Sequence, residues 1–530
     1  MKHATPQLKK CPLGKWAIVL IILLLAACTG KEVPGDSDLP RSTPEAEGVS
    51  STSILKFLDA VEESGQELHG FVYLRNGKVI AQGWWDPYGP GLKHTLYSTS
   101  KSFTSTAIGF AVTEGLLSVD DPVISFFPDQ LPDSVSDYLA SMKVKHLLTM
   151  SAGQDPPQDM RGMQPDQDWV EAFLAYPVSR EPGSVFMYNS MATYMLSAII
   201  TEVTGEAMLE YLEPRLFGPL QIEDKDWETD PDGINSGGWG LRLKTGDMAR
   251  FGQLYLQQGQ WNGEQLLPAE WIREATSKHI DQAPGMTEEE RAGDDWVQGY
   301  GYKFWRSQHR SFRADGAFGQ LIMVLPEENA VIAVNAEVRD MQKEVNLVWD
   351  HLLPGMHDGA LEADPEALEA LQARLENISL PVPEPGSNDS LQGAIDNSTY
   401  HFEPVGEDGT ASCSFRFDQE ECHVTLTDSA GIEYELVQGA GEWITGEIML
   451  PGPNLVPFDE ANAPVLLPAK IAAAYRWKGS DTLELTVRYI ESPHTVHYIF
   501  SFDGDRVSMK KDATMGLYRN QPVVEGKRMP

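Results

Sequence analysis

The sequence predicts a mixed α/β (α+β) body, with an antiparallel sheet flanked by a helical subdomain, followed by a C-terminal all-β accessory domain. Two observations predict the body: helical periodicity of apolar residues through much of residues 97–257, and strand patterns near both of its ends. A third predicts the accessory domain, because short strand patterns with intervening turn signals dominate from about residue 391 onward.

The first half of the body combines helical patterns with one hairpin. Residues 54–61 place apolar side chains at helical spacing. Residues 69–81 predict two strands around Asn76-Gly77, since Asn-Gly is the strongest short hairpin signal. The remaining segments are, in chain order, a buried helix over 97–117, a long loop over 153–168, a helix over 194–203 and an amphipathic helix over 247–257.

The second half of the body ends in strands. Strand patterns cover 301–305, 321–325 and 330–336, and a closing helix is predicted over 346–353. These strands and the early hairpin come from opposite ends of the body. We therefore expect one antiparallel sheet built from both chain ends, within a body that covers residues 43–360.

A change in composition separates the accessory domain from the body. Residues 361–390 contain a predicted helix over 363–377 and then a Pro-rich linker. The all-β accessory domain is predicted over 391–530, from strand patterns at 413–417, 423–427, 433–437, 482–489 and 496–502.

The N-terminal segment resembles a bacterial lipoprotein signal. A lysine-containing start leads into the apolar run Trp16–Leu25, about ten residues, which is too short to span a bilayer. The run ends in Leu25-Ala26-Ala27-Cys28, which resembles a lipobox with Cys28 as the lipidation site. We predict a signal peptide over 1–27, a tether over 28–42, and export to the outer side of the bacterial cell membrane with a lipid anchor. An ordinary cleaved signal with an incidental cysteine is the alternative.

The acidic composition excludes two kinds of partner. The formal net charge is −37, and the predicted signal contributes only positive charge to it. Nucleic acid is excluded as a partner because phosphate binding needs a positive surface. Adhesion to anionic lipid head groups is excluded for the same reason, so membrane attachment is expected through the lipid anchor alone.

Two of the four cysteines are candidates for a disulfide. Cys413 and Cys422 flank a polar turn, where they would face each other across a hairpin, and export would permit the bond. The sequence leaves open whether they are bonded. A zinc site is disfavoured because only His423 is nearby as a further ligand, and no other metal-ligand spacing occurs. We expect no metal.

One serine combines a nucleophile with a base at the right spacing. The Gly-x-Ser-x-Gly motif of α/β-hydrolases is absent, whereas Ser-x-x-Lys occurs at Ser53, Ser98 and Ser508. Ser53 fits a helix N-cap, and Ser508 lies in a strand-like stretch. Ser98 opens a helix of small and apolar residues, so Lys101 should be buried with a lowered pKa and could serve as the base. On spacing alone, Ser98 fits an N-cap equally well.

An ordered series of motifs resembles one protein family. In chain order the motifs are Arg41-Ser-Thr-Pro-Glu45, Tyr97-Ser-Thr-Ser-Lys101, Asp120-Asp-Pro122, His146-Leu-Leu-Thr-Met-Ser-Ala-Gly153, Pro182-Gly183, Tyr188-Asn-Ser190, Gly237-Gly238 and Asp315-Gly-Ala-Phe-Gly-Gln320. The series resembles the serine β-lactamase and penicillin-binding protein superfamily, nearest its class C β-lactamase-related branch of esterases and 6-aminohexanoate-dimer hydrolases. The resemblance spans roughly residues 41–355 and implies a β-lactamase-like transpeptidase fold.

The resemblance also implies roles for individual residues. Ser98 matches the acylating serine and Lys101 its partner. Tyr188 matches a tyrosine that shuttles the proton to and from the leaving group. Ser190 replaces the asparagine usual in that motif, and a hydroxyl cannot donate and accept as an amide does. This departure weakens the case for β-lactam recognition.

The family's Lys-Thr-Gly strand motif is represented by a divergent segment. A literal Lys-Thr-Gly stands at 244–246, but helical periodicity follows it, so Thr245 is expected at a helix start. By order and strand context the match is 314–316, Ala-Asp-Gly. The segment lacks the Lys and Thr that bind a substrate carboxylate in the family.

The same segment supplies the remaining predicted site residues. Gly316 is expected to let substrate approach the backbone, and Asp315 to repel a substrate carboxylate. The backbone N–H of Ala317, with that of Ser98, is expected to form the oxyanion hole.

We therefore predict an exported serine hydrolase that cleaves ester or amide bonds of a small molecule or short peptide through a Ser98 acyl-enzyme, without a cofactor. Two alternatives stay open: a D-alanyl-D-alanine carboxypeptidase or β-lactamase, and a catalytically silent lipoprotein that binds an envelope component. The retained Ser98, Lys101 and Tyr188 favour an enzyme. The sequence does not say whether the accessory domain is a binding module, a lid or a stabilising appendage.

Overall fold

A central antiparallel sheet organises the N-terminal body of this computed structural model. The structure describes Met1 and residues 39–163, 167–402, 409–456, 462–514 and 522–529, so the predicted signal and Cys28 lie outside the described residues. Six strands form the sheet in the order β2-β1-β6-β5-β4-β3. They are β1 Glu67–Arg75, β2 Lys78–Trp84, β3 Trp305–Arg306, β4 Phe312–Gly316, β5 Gln320–Leu325 and β6 Ala330–Glu337.

The pairing of β1 with its neighbours confirms the predicted sheet. Arg75 pairs with Lys78 across the Asn76-Gly77 turn, which confirms the hairpin. On its other edge β1 pairs antiparallel with β6, so the strands of the two chain ends meet in the middle of the sheet. Alternate residues of these strands enter two separate hydrophobic cores, because helices cover both faces.

Helices pack on each face of the sheet. The helices described are α1 Ser51–Ser64, α2 Ser100–Thr113, α3 Asp137–Ser141, α4 Val144–Leu148, α5 Trp169–Ala175, α6 Ser190–Thr204, α7 Met208–Leu212, α8 Thr245–Leu256, α9 Ala269–Thr276, α10 Glu288–Arg291, α11 Met341–Leu347, α12 Pro365–Glu376, α13 Asp389–Ile395 and α14 Ala463–Leu466. Helix α2 is buried on all sides from Ser100 to Ala111, since its small residues let neighbouring helices approach closely. Within the described part of the chain, no helix is long and apolar enough to cross a membrane.

Two predicted elements of the body differ from the structure. The strand predicted over 301–305 is wrong in its extent, because only Trp305–Arg306 pairs with β4. Lys303 has a positive φ of 65°, which ends extended structure before that point. The closing helix begins earlier than predicted, at Met341, and widens into a π-helical turn over Val348–Leu352.

The accessory domain is a closed β-barrel. Its strands are β7 Ser398–Phe402, β8 Thr410–Asp418, β9 Glu421–Asp428, β10 Glu433–Ala440, β11 Ile444–Ile448, β12 Ala469–Lys478, β13 Thr482–Tyr489, β14 Thr495–Asp503, β15 Arg506–Ala513 and β16 Val524–Arg528. The sheet runs β10-β9-β8-β7-β16-β15-β14-β13-β12-β11, and β10 also pairs with β12, which closes the barrel. Alternate side chains point inward to a single core, as in β14.

Cys413 and Cys422, whose bonding the sequence leaves open, are not joined by a disulfide. Cys413 and Cys422 lie on the predicted hairpin, but β8 and β9 pair Cys413 with Leu426 and Cys422 with Phe417. The two cysteines are therefore not opposite each other, and both are free, buried thiols whose pKa burial raises.

The barrel packs directly against the body. Ala472 and Ile490 are buried in the same hydrophobic core as the outer face of the central sheet. The guanidinium of Arg488 donates to Glu67 of β1 at 2.6 Å, and the backbone N–H of Thr95 donates to the carbonyl of Glu491 at 3.0 Å. These contacts bring the loop between β13 and β14 close to the segment that precedes Ser98.

Candidate active site

The predicted nucleophile and its predicted base come from one tight turn. Residues Tyr97–Thr99 form a 3₁₀ turn that leads into α2, so Lys101 lies about one turn after Ser98. The amine nitrogen of Lys101 lies 2.9 Å from the Ser98 hydroxyl oxygen. Ser98 is half-buried, whereas the side chain of Lys101 is buried.

The surroundings of Lys101 favour its neutral form. Burial lowers the pKa of the amine to about 7, because a charged ammonium loses its hydration there. The nitrogen also lies 2.5 Å from the carbonyl oxygen of Gly238 and 3.1 Å from the hydroxyl of Ser190. A neutral amine can donate its two N–H groups to these oxygens. Its lone pair then points at Ser98, as a general base requires.

Tyr188, the predicted proton shuttle, lies beside Ser98 and Lys101 on the other side. Its hydroxyl lies beside Ser98, and its ring lies 5.0 Å from the Lys101 nitrogen and stacks on Trp305. Burial raises the pKa of Tyr188, and the hydrogen bond with Ser98 only partly opposes this. Tyr188 therefore keeps its proton at neutral pH. It is suited to donate to a leaving group, while Lys101 is suited to accept.

Gly238 contacts the Lys101 amine, and the sequence did not predict this contact. Its carbonyl is the shortest contact of the amine, and a side chain on Gly238 would lie 2.8 Å from the backbone oxygen of Ser190. Gly238 belongs to the Gly237-Gly238 pair, one of the motifs that resemble the family. The motif marked the position, but it did not predict that the Gly238 carbonyl would contact Lys101.

The two residues predicted to form the oxyanion hole lie on elements that are in contact: Ser98 in the turn before α2, and Ala317 directly after β4. The hydroxyl of Thr99 donates to the carbonyl of Gln320 at 2.5 Å, which fixes the turn against β5. A side-chain carbon on Gly316 would lie 2.2 Å from the carbonyl oxygen of Leu96. Gly316 therefore allows close packing of β4 on this turn, and its predicted role in substrate approach stays a prediction.

Asp315 does not present a free negative charge to substrate. The guanidinium of Arg313 donates to its carboxylate at 2.8 Å, and both side chains are buried. Arg313 also stacks over Trp296, with 4.3 Å from the guanidinium carbon to the ring centroid. The prediction that Asp315 repels a substrate carboxylate is therefore wrong, because Arg313 neutralises its charge inside the protein.

The residues set aside by sequence reasoning lie away from this group. Thr245 begins α8 as predicted, and its hydroxyl donates to Asn335 of β6 at 2.8 Å. Ser53 lies in the first turn of α1, and Ser508 lies in barrel strand β15. Among the described residues there is no group of three or more His, Cys, Asp or Glu side chains that could hold a metal ion.

A serine hydroxyl beside a buried lysine of lowered pKa and a protonated tyrosine is the arrangement that a serine hydrolase of the Ser-x-x-Lys class uses. The family model described as Beta-lactamase matches residues 58–352, which is more than half of the chain. The protein belongs to the Beta-lactamase family and is an enzyme of the β-lactamase-like serine hydrolase superfamily.

Individual relatives are distant. The 6-aminohexanoate-dimer hydrolase of Paenarthrobacter ureafaciens is 23% identical over 344 residues, covering 61% of this chain and 85% of that protein. The octameric penicillin-binding protein homologue from Pyrococcus abyssi has 16% identity and a TM-score of 0.46, covering 90% of this chain and 99% of that one. A penicillin-binding protein homologue from Caulobacter crescentus has 15% identity and a TM-score of 0.47. The match covers 60% of this chain and 100% of that one.

Proposed function

We propose that the protein is an exported, lipid-anchored hydrolase that cleaves ester or amide bonds through an acyl-enzyme on Ser98. The observation that carries the proposal is the 2.9 Å approach of the Lys101 amine to the Ser98 hydroxyl, with a lysine pKa lowered to about 7. A base with a pKa of about 7 is half neutral near pH 7, which suits general-base catalysis.

The reaction follows from these positions. Ser98 Oγ attacks the substrate carbonyl carbon while its proton passes to Lys101, and the carbonyl oxygen becomes an oxyanion facing the Ser98 and Ala317 N–H groups. The intermediate collapses, the bond to the leaving alcohol or amine breaks, and Tyr188 protonates that group. Lys101 returns the proton to Tyr188. Water then attacks the acyl carbonyl carbon while Lys101 takes one of its protons. The bond to Ser98 Oγ breaks, the acid is released, and Lys101 returns the proton to Ser98.

Several features favour esters or amides that lack a β-lactam-like carboxylate. The strand beside the site has Ala314-Asp315 where the related wall enzymes and β-lactamases carry Lys-Thr, so it offers no cation or hydroxyl there. Ser190 uses its hydroxyl on Lys101 and lacks an amide. The similarity to a protein named 6-aminohexanoate-dimer hydrolase supports amides of small, linear molecules as one substrate class.

Covalent labelling tests the proposal. The protein without residues 1–38 is treated with a fluorophosphonate, which reacts with activated serines, and its intact mass is measured. We expect one adduct, which is lost in Ser98→Ala and retained in Ser53→Ala and Ser508→Ala, since those two serines have the same lysine spacing without the buried site. An unlabelled wild type that is folded, or labelling that persists in Ser98→Ala, contradicts the proposal.

The lipid anchor is tested separately from catalysis. In a bacterial host, full-length protein is expected in the membrane fraction and to incorporate a labelled fatty acid. Cys28→Ala should abolish incorporation and release the protein from that fraction, and Cys11→Ala is the matched control. Fatty-acid incorporation that survives Cys28→Ala contradicts the anchor.

A further inference from the structure

A histidine of the barrel reaches the nucleophile turn of the body. His494 lies in the loop between β13 and β14 and is fully buried. Its Nε2 lies 2.5 Å from the hydroxyl of Tyr97, and its Nδ1 lies 2.8 Å from a carboxylate oxygen of Glu337, at the end of β6. Tyr97 immediately precedes Ser98.

The hydrogen-bond roles follow from the carboxylate. An ionised Glu337 can only accept, so the proton of a neutral His494 lies on Nδ1. Nε2 is then the acceptor, and the Tyr97 hydroxyl donates to it. The chain Glu337–His494–Tyr97 thus joins the central sheet, the barrel and the nucleophile turn.

His494 also contacts the second side of the predicted oxyanion hole. Its ring meets Phe318 edge-on, with centroids 5.0 Å apart, and lies 5.8 Å from the ring of Tyr97. The rings of Phe318 and Tyr97 are themselves 5.7 Å apart. Phe318 immediately follows Ala317. One barrel residue therefore touches the neighbours of both proposed oxyanion donors, Ser98 and Ala317.

Those two neighbours have strained backbones. Tyr97 has φ 46° and Phe318 has φ 65°, left-handed values that bulky side chains rarely adopt. Such conformations persist only where the surrounding structure holds them, and they set the direction of the adjacent peptide groups. The peptide between Tyr97 and Ser98 carries the Ser98 N–H and is adjacent to the strained Tyr97. The Ala317 N–H belongs to the peptide between Gly316 and Ala317, so Phe318 acts on it through the backbone of Ala317.

We propose that His494, held by Glu337, is a positioning residue for the oxyanion hole, so that the barrel completes the active site of the body. This inference rests on the proposed function and assigns the accessory domain a part in it. His494 does not touch substrate. It acts by keeping Tyr97 and Phe318 in the conformations that aim the two N–H donors.

The test compares kinetic constants of single variants on a chromogenic ester. Tyr97→Phe removes only the hydroxyl that donates to His494 and keeps the ring, and His494→Ala removes the whole contact. We expect kcat to fall about 10- to 100-fold in each, because small misplacements of catalytic groups have effects of that size, with KM changed less than about twofold. The double variant should be no worse than His494→Ala, since both changes remove one connection.

The control removes a barrel contact of the same loop that does not involve the turn. Tyr88→Phe deletes the hydroxyl that donates to the carbonyl of Ser492 at 3.2 Å, and kcat should stay within about twofold. Thermal unfolding of each variant identifies loss of folding, and Tyr97→Phe remains decisive if His494→Ala does not fold.

The outcomes separate the inference from the proposed function. A wild-type kcat retained in folded Tyr97→Phe, or a change in KM alone, overturns the positioning role while fluorophosphonate labelling of Ser98 still supports the hydrolase. Wild-type protein without Ser98 labelling contradicts the hydrolase and the positioning role together.

Discussion

The amine of Lys101 lies 2.5 Å from the carbonyl oxygen of Gly238, a residue 137 positions further along the chain. That contact holds the nitrogen at a fixed place below Ser98. It also uses an N–H donor that would otherwise compete for the serine oxygen. The orientation of the base is therefore set by tertiary packing and not by the helical turn alone.

The pH dependence of activity should report Lys101. The amine accepts the Ser98 proton only when neutral, and its pKa is lowered to about 7 by burial. Because the neutral fraction grows as pH rises through that value, kcat/KM for a neutral ester should increase about tenfold per pH unit below 7 and level off above it.

A second buried lysine provides the control for this profile. Burial also lowers the pKa of Lys303, whose nitrogen contacts the sulfur of Met150 at 3.2 Å. In Lys303→Met, kcat/KM should still rise with pH and level off near pH 7, whereas Lys101→Met should lose the activity. A profile that first rises above about pH 9, near the ordinary lysine pKa, contradicts the assignment of Lys101 as a base with a lowered pKa.

Gly316→Ala should impair the site by displacing β4. The new methyl group would lie 2.2 Å from the Leu96 carbonyl oxygen, so strand and turn must separate. We expect a loss of about 1–3 kcal/mol in the free energy of unfolding and a fall of roughly 100-fold in the labelling rate of Ser98. Gly446→Ala is the control, since nothing lies within 4 Å of its added carbon. Equal labelling rates in the two variants would refute the close packing.

Arg313→Met should destabilise the protein by leaving Asp315 buried without its partner. The pair is 2.8 Å apart with both side chains shielded from water, and breaking such a pair costs about 3–5 kcal/mol. Urea unfolding should show this loss, and the double variant with Asp315→Asn should recover part of it. A loss below about 1 kcal/mol in the free energy of unfolding is typical of a solvent-exposed ion pair, and it would contradict the burial of Arg313 and Asp315.

Reductant should leave the stability of the protein unchanged. Cys413 and Cys422 are free and face Leu426 and Phe417 across the hairpin. The Tm of the protein without residues 1–38 should therefore agree with and without dithiothreitol, and both thiols should alkylate only after unfolding. A lower Tm in the reductant, with two fewer reactive thiols in its absence, would establish the disulfide that this register excludes.

Local sequence signals predicted several elements of the body, including the helix that follows Ser98. The Asn76-Gly77 pair specified a hairpin, and the small residues after Ser98 specified a helix that is buried all round. The helical periodicity after Lys244 correctly predicted that Thr245 begins a helix. Each of these elements is determined by residues close together in the sequence, so hydrophobic pattern and intrinsic propensity are enough to predict its secondary structure.

Contacts between distant segments were not predictable in the same way. Gly238 and His494 reach the site from 137 and 397 positions away, and only the packed fold brings them there. The prediction that Cys413 and Cys422 face each other across the hairpin was wrong because of the position of the turn. The turn lies at Gln419 and Glu420, with Asp418 opposite Glu421, which shifts the pairing away from a cysteine bridge. A turn two residues earlier would have aligned the two thiols.

The most direct test of the central claim is to trap the acyl-enzyme. Enzyme turning over a p-nitrophenyl ester is quenched in acid within the first turnover, and its peptides are analysed by mass spectrometry. We predict a mass increase equal to the acyl group on the peptide that contains Ser98, absent in Ser98→Ala and present in Ser508→Ala. Turnover with no acylated peptide, or with the acyl group on another residue, would contradict the account.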